Sequence, residues 1–439
     1  MSRPEVNACR NGGRGGSEPL GATGANRGEE FRRANLGISM LAAGLIFAGT
    51  YAVIAIGHLP GFRVDRTGAA IIGATLMVAF NVLTLEEAYA AVDYDTIILL
   101  FGMMIVVANL RLSGFFRAVS ARVIGHAHRP VLLLAAIVFV SGVLSAFFVN
   151  DTICLVLTPL VLEVTAAIRR KPAPFLLAVA MGSNAGSVAT ITGNPQNMMI
   201  GSFSGIPYAS FLGALAPVAV AAMALTVAVI TAVYWKEFRV EEKVEVEQPR
   251  VRVHRPLFVK SVSVAAAMLA LFFIGWPVPK VAIVAAAVLL LTRRLKPERI
   301  YHEIDWSLLV LFIGLFIVVA GVEKTSLAKE FYARASGGAL GGVWIFSAAA
   351  AVLSNIVSNV PAVLMFKPLI GHLADSQRAW LVLAMASTLA GNLTVVGSVA
   401  NLIVVHRARY EARIGFWEYF KAGAPLGVLS IAAGVLLLR

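Results

Sequence analysis

Residues 143–159 read VLSAFFVNDTICLVLTP, and residues 352–368 read VLSNIVSNVPAVLMFKP. Each stretch lies inside an apolar segment, 131–167 or 341–373, that is too long for one tilted transmembrane helix. Each is interrupted midway by a polar cluster, Asn150-Asp151-Thr152 in the first and Ser358-Asn359 in the second. Two apolar arms around a polar break read as a re-entrant helical hairpin. Peptide and carboxamide groups at such a tip cannot face lipid unsatisfied, so the tips must be buried in protein or line a wet cavity. That requirement makes them candidate sites.

The two stretches are copies of one unit. Val143-Leu144-Ser145, Asn150 and Pro159 recur at an offset of 209 as Val352-Leu353-Ser354, Asn359 and Pro368. Upstream, Asp93, Gly102 and Val106-Val107-Ala108 recur at an offset of 212 as Asp305, Gly314 and Val318-Val319-Ala320. Downstream, Thr190, Gly193 and Asn197 recur at an offset of 204 as Thr394, Gly397 and Asn401. Each half then reads as three spans, a hairpin and two spans. An odd number of crossings turns the second half upside down relative to the first, an inverted-topology repeat. The expected units are a disordered tail at 1–35, a first repeat at 36–235, a cytoplasmic linker at 236–256 and a second repeat at 257–439.

Composition sets the solvent. Of 439 residues, 59% are hydrophobic and 14% charged, against about 45–50% and about 25% in ordinary soluble domains. With a mean hydropathy of +0.81, this excludes a soluble enzyme, a nucleic-acid binder and a disordered chain. The expected fold class is an all-α polytopic membrane protein with about ten transmembrane helices plus two re-entrant hairpins. The net charge of +13 comes from basic residues in short loops between apolar segments, where they act as topology signals. Alternate loops at 58–66, 111–130, 168–172, 236–256, 293–304 and 406–421 hold 23 Lys and Arg, against 6 on the other side. That places the richer set in the cytoplasm, at the plasma (inner) membrane. The tail, whose six Arg would then have to cross, opposes this placement of the terminus. Cys9 and Cys154 form neither a disulfide framework nor a metal motif.

The strongest local chemistry is the run Ser183-Asn184-Ala185-Gly186-Ser187-Val188-Ala189-Thr190-Ile191-Thr192-Gly193-Asn194-Pro195-Gln196-Asn197 inside a span. Gly193 and Pro195 break the helix there, and the freed amides and carbonyls can hold an ion or a small polar solute. Its mirror runs from Gly391-Asn392 through Thr394, Gly397 and Ser398 to Asn401. Small residues in a span ordinarily serve close helix packing, but four polar clusters in two matched pairs point to a central site. Asp151 is the expected proton or cation carrier; its alternative role is a carboxylate capping the second hairpin arm. Lys367 is read as snorkelling, or as attracting an anion at the mouth. Cys154 is read as packing, and Glu163, Asp95 and Asp305 as interfacial or capping groups. No phosphate loop is present, so energy must come from an ion gradient or from a separate ATPase partner. No metal site and no nucleic-acid partner are expected.

These residues carry a resemblance. Phe148-Val149-Asn150-Asp151-Thr152 with Leu157-Thr158-Pro159, Gly193-Asn194-Pro195-Gln196-Asn197, Ser358-Asn359-Val360-Pro361 and Gly397-Ser398-Val399-Ala400-Asn401 together resemble the ion transporter superfamily. That superfamily includes arsenite permeases, sodium/proton antiporters of the NhaD type and divalent anion/sodium symporters. The resemblance covers nearly all of the chain after residue 35. It implies scaffold and transport domains, elevator-like alternating access, a homodimer and no enzymatic activity. It implies substrate and coupling-ion roles for Asn150, Asp151, Thr152, Thr190, Gly193, Asn197, Ser358, Asn359, Thr394, Gly397 and Asn401, beside which Ser183, Asn184, Asn194, Asn392 and Ser398 stand as candidates. The dicarboxylate branch carries Ser-Asn-Thr at both tips, whereas this chain has Asn-Asp-Thr and Ser-Asn-Val. The expected function is an ion-coupled secondary transporter of a small anion or metalloid oxyacid, with H+ or Na+ as coupling ion. A sodium/proton antiporter and a sodium-coupled dicarboxylate or sulfate symporter are the alternatives, and a channel-like subunit driven by an ATPase is a further rival.

Overall fold

The computed structural model describes residues 40–59, 61–127, 129–239, 253–291, 295–325, 330 and 342–438. The expected tail and most of the expected linker lie outside the described residues. The helices in chain order are α1 (Met40–Ile56), α2 (Arg66–Ala79), α3 (Leu85–Ala91), α4 (Tyr94–Ser113), α5 (Phe115–Ile124), α6 (Pro130–Phe147), α7 (Asn150–Ala167), α8 (Pro172–Ser187), α9 (Pro195–Ser204), α10 (Tyr208–Val233), α11 (Trp235–Phe238), α12 (Arg255–Ile274), α13 (Val278–Leu290), α14 (Pro297–Tyr301), α15 (Trp306–Glu323), α16 (Val343–Val357), α17 (Asn359–Ile370), α18 (Ser376–Ala390), α19 (Val399–Ala408) and α20 (Phe416–Leu437). No strand occurs among the described residues beyond one isolated bridge between His58 and Asp65.

Seven described helices are long and apolar enough to cross a membrane, fewer than the ten crossings the sequence suggests. Two of the seven are α6 and α7, the arms of the first hairpin, each 18 residues or about 27 Å long. Helix α2 has only 14 residues and α13 only 13. The first ends where Asn81 adopts a positive φ of 53° and Val82 N–H returns to Met77 O, a left-handed stop of the kind that closes helix C-termini. The sequence reading also passed over α3 and α5, because short helices in polar loops leave no long apolar run.

Helix contacts fall into two groups. In one, α4 packs on α13, α2 on α15, and α12 on both α4 and α13. In the other, α6 packs on α8, α16 on α18, α7 on α19, α17 on α9, and α10 on α20. Exchanging each element for its repeat counterpart turns the α4–α13 contact into α15–α2 and the α6–α8 contact into α16–α18. The correspondence reaches single atoms. A Cβ on Gly102 would lie 2.8 Å from the Ala282 carbonyl carbon, and one on Gly314 2.8 Å from that of Ala70. Both pairs are related by the 212-residue offset, so glycine at these crossings lets backbones meet where any side chain would hold them apart.

The hairpin junctions correct the sequence reading. The first arm ends at Phe147, the break is Phe148–Val149, and Asn150-Asp151-Thr152 already forms the first turn of α7. In the second hairpin Ser358 is the junction and Asn359 opens α17. Val149 (φ 25°) and Ser358 (φ 77°) occupy equivalent repeat positions, and both have the positive φ that is costly for residues with a Cβ. In the first hairpin the turn is made just before the polar cluster, whereas in the second it is made at the first residue of the cluster, Ser358. That leaves the carboxamides on rigid helical first turns.

Candidate functional site

The two junctions converge on one cavity of about 290 Å³. Asn150 and Asp151 reach it from α7, Ser358 and Asn359 from the second junction, Pro195 and Gln196 from the start of α9, and Ser398 and Val399 from the start of α19. The opposite wall is Asp65, Arg66 and Thr67 at the start of α2, with Asp305 and Ser307 at the start of α15. Asp65 and Asp305 are there because they cap their helices, accepting from Gly68 N (2.8 Å) and Leu308 N (2.9 Å).

Behind the lining lies a buried carboxamide network joining the two halves. Asn184 donates to Asn392 Oδ1 (2.9 Å) and Asn401 Oδ1 (3.0 Å). It accepts from Asn150 Nδ2 (3.1 Å) and Ser398 Oγ (3.1 Å). The helix breaks are held in matched ways. Asn197 Nδ2 donates to Ser187 O (3.2 Å) and Thr190 O (3.0 Å), and Asn401 Nδ2 donates to Gly391 O (2.7 Å) and Thr394 O (3.1 Å), each partner displaced by 204. The contact of Asn194 Nδ2 with Thr388 Oγ1 (3.3 Å) mirrors that of Ser398 with Asn184. Thr190 Oγ1 bonds Ala146 O, while Thr394 Oγ1 donates to Asn355 Oδ1 (3.0 Å) at the equivalent place.

Of the sequence candidates, Asn150, Asp151, Ser358, Asn359 and Ser398 line the cavity. Ser183, Asn184, Thr190, Asn194, Asn197, Asn392, Thr394 and Asn401 stand behind it and hold the breaks in shape. Gly193 and Gly397 are needed sterically, since a Cβ would strike Ser187 O in one case and lie 2.8 Å from Asn355 Oδ1 in the other. Thr152 is not part of the lining. Its backbone N–H bonds Val149 O (3.1 Å) and closes the first turn. The helix breaks lie upstream of where Gly193 and Pro195 suggest: α8 stops at Ser187, and Pro195 is the first residue of α9, where its missing N–H costs nothing. Lys367 lies 4.5 Å from the Phe203 ring centroid, and Cys154 is buried packing. Glu163 pairs with Arg117 at 2.7 Å. Residues 65–67, Gln196 and the framework residues Asn355 and Thr388 were not singled out from the sequence. Comparing the two repeats position by position could have exposed Asp65 and Arg66, since their mates are Pro277 and Val278.

Two features define the chemistry. Asn150 Oδ1 and Asn359 Oδ1, repeat mates, are both buried without a hydrogen-bond partner. Such an orphaned acceptor costs about 1–3 kcal/mol, and here both belong to residues lining one cavity. The charged lining is three carboxylates, Asp65, Asp151 and Asp305, and one guanidinium, Arg66. No cluster of three His, Cys, Asp or Glu residues suited to a metal ion occurs among the described residues.

Comparison with known proteins finds transporters among the relatives of this chain. The silicon efflux transporter LSI3 of Oryza sativa subsp. japonica is 32% identical, with 87% of this chain and 93% of that protein aligned. The putative transporter arsB of Dictyostelium discoideum is 25% identical over 89% of this chain and 90% of its own length. The solved YdaH transporter of Alcanivorax borkumensis shares the fold, with a TM-score of 0.55 at 14% identity over 92% of this chain and 97% of that one. The model of the citrate transporter family matches residues 51–390. A polytopic helical chain whose broken helices and hairpin junctions enclose one polar cavity, and whose relatives are transporters and not enzymes, is a multi-pass membrane transporter, and it belongs to the citrate transporter family.

Proposed function

We propose that this transporter moves a small, uncharged, hydroxyl-rich metalloid oxyacid, of which arsenous and silicic acids are the type, across the plasma membrane. A proton or sodium ion coupled through Asp151 drives it. The observation that carries this reading is the pair of orphaned carboxamide oxygens, Asn150 Oδ1 and Asn359 Oδ1, on two residues that line a cavity with three carboxylates and one guanidinium. Hydroxyl groups are donors that such oxygens can accept. At an effective dielectric near 20, like charges about 5 Å apart repel by about 3 kcal/mol per pair, which weighs against a citrate-like trianion. A volume of about 290 Å³ suits a small solute with a few waters, each occupying about 30 Å³.

The paired helix contacts and mirrored hydrogen bonds support an inverted repeat with alternating access of the α6–α10 and α16–α20 group against the α2–α4 and α12–α15 group. By the loop charges, the end carrying Asp65 and Asp305 faces the cytoplasm. A second reading, sodium/proton antiport, is favoured by the same orphaned oxygens, which suit a hard cation as well as a hydroxyl. Proteoliposomes with imposed proton and sodium gradients test both. The oxyacid reading expects gradient-driven accumulation of arsenite or silicic acid and none of citrate. Citrate accumulation without either oxyacid overturns it, and Na+ dissipating a pH gradient with no solute present supports the antiporter.

A further inference from the structure

A second cavity, of about 280 Å³, has a wall at five positions equivalent by the repeat to positions lining the first. Asp95 and Leu99 of α4 and Pro277, Val278 and Pro279 at the start of α13 line it. Shifted by the 212-residue offset, these positions become Ser307, Leu311, Asp65, Arg66 and Thr67, and all five line the first cavity. The preceding helices each end at a glycine of positive φ, Gly57 (91°) and Gly275 (93°), here at an offset of 218. The matched walls lie at opposite ends of the packed helices α4 and α15, while α9 lines both cavities, through Gln196 in the first and Gly201 and Ser202 in the second. Arg111 in the last turn of α4 pairs with Glu303, just before the start of α15. The start of α4, with Asp95, is therefore about 24 Å from the start of α15, with Asp305, at 1.5 Å per residue.

The contacts at the two ends are matched in position and opposite in state. At the second cavity, the Asp93 carboxylate accepts from Ser202 Oγ on α9 at 3.0 and 3.1 Å, tying one helix group to the other. The repeat mates of Asp93 and Ser202 are Asp305 and His406. These two do not bond each other. Both aspartates cap their helices alike, Asp93 accepting from Thr96 N (2.8 Å) and Asp305 from Leu308 N (2.9 Å), but His406 lies on the exposed end of α19 beside Arg409. One end is latched and its counterpart is open.

We infer that the second cavity is the opposite-face station of the translocated solute, and that reaching it exchanges the Asp93–Ser202 contact for an Asp305–His406 contact. This rests on the alternating-access reading above and adds where the second station is and what closes each end. The stations differ in which side chains carry the charge. The first presents Asp65 and Arg66 where the second has Pro277 and Val278, and the second presents Asp95 where the first has Ser307. A cation travelling with Asp151 therefore meets Asp65, Arg66 and Asp305 at one station and Asp95 at the other.

Paired cysteines test this in a Cys9→Ser, Cys154→Ser chain in native membrane vesicles, with copper phenanthroline as oxidant and the cross-linked peptides read by mass spectrometry. Asp93→Cys with Ser202→Cys is the control pair, since these side chains touch in the state described. The expected result is that Asp305→Cys with His406→Cys also cross-links, and that each cross-link prevents the other when all four cysteines are present. Val278→Cys reports independently, in a chain with no change at Asp305 or His406. Its labelling by a membrane-impermeant maleimide is expected to change when an inward proton or sodium gradient is imposed. The inference is overturned if the control pair cross-links while the second pair does not. It is also overturned if both form together in one molecule, or if Val278→Cys labelling ignores both gradients. If the exchange occurs but neither arsenite nor silicic acid is transported, the two stations stand and the proposed solute class falls.

Discussion

Truncating Asn184 to alanine separates the framework of the site from its lining. The side chain is 1% exposed and makes four hydrogen bonds, at 2.9 to 3.1 Å, to Asn392, Asn401, Asn150 and Ser398. Asn150 and Ser398 border the cavity, where water can replace the lost partner at small cost. Asn392 and Asn401 do not, so each loses the Asn184 donor in a buried place, at about 1–3 kcal/mol. The two together set about 2–6 kcal/mol, and because polar contacts between membrane helices average nearer 0.6 kcal/mol, the expected loss is at the lower end, about 2–3 kcal/mol. The control is Asn359→Ala, which removes an acceptor that is already orphaned. It should leave the ligand-free protein as stable as the parent, or slightly more so, and abolish stabilisation by bound solute, which is about 2.7 kcal/mol at 100 times Kd. Equilibrium unfolding in detergent, with and without arsenite or silicic acid, measures both variants. The reasoning fails if Asn184→Ala lies within about 0.5 kcal/mol of the parent, the range of an ordinary surface change, or if Asn359→Ala destabilises the ligand-free protein as much as Asn184→Ala does.

Asp151→Asn is expected to fold normally and to lose gradient-driven accumulation while still exchanging solute; full proton- or sodium-dependent accumulation by the variant in proteoliposomes contradicts its assigned role. Gly102→Ala and Gly314→Ala each place a methyl 2.8 Å from a facing backbone carbon, so each should cost about 1–3 kcal/mol by overpacking. Gly213→Ala, with nothing within 4 Å, should be neutral or gain up to about 1 kcal/mol in helix propensity, all read by thermal unfolding. Glu87, in the short helix α3, is held below its ordinary value, first by the Lys324 ammonium at 2.7 Å and then by the Thr84 N–H. Because the folded value is the lower one, its contribution is present above the unfolded value and fades as pH falls through the folded value. A Glu87→Gln chain should therefore show a flatter melting temperature below about pH 5 than the parent, and identical slopes would refute the assignment.

The hydrophobic excess and the offsets of 209, 212 and 204 made the membrane class and the paired elements legible, because burial in lipid and duplicated packing both leave periodic marks in a chain. What stayed hidden has physical causes. The turn at Val149 is a backbone event at an apolar residue, so the visible polar cluster drew attention one step too far along. Asp65 and Asp305 cap helices, and a capping aspartate looks the same in sequence whether or not a cavity lies beside it. Asn184 reads as a lining residue but is a hub behind it, because the local motif does not reveal that both of its donor protons go to residues more than 200 positions away.

That separation matters during synthesis. Asn184 leaves the ribosome 208 residues ahead of Asn392, which at about 5–20 residues per second is about 10–40 s. Throughout that interval the amino-terminal half is in or near the bilayer with a carboxamide whose final partners do not yet exist. Its maturation therefore depends on the insertion machinery, or on water retained between its helices, to shelter an amide until the carboxy-terminal half arrives.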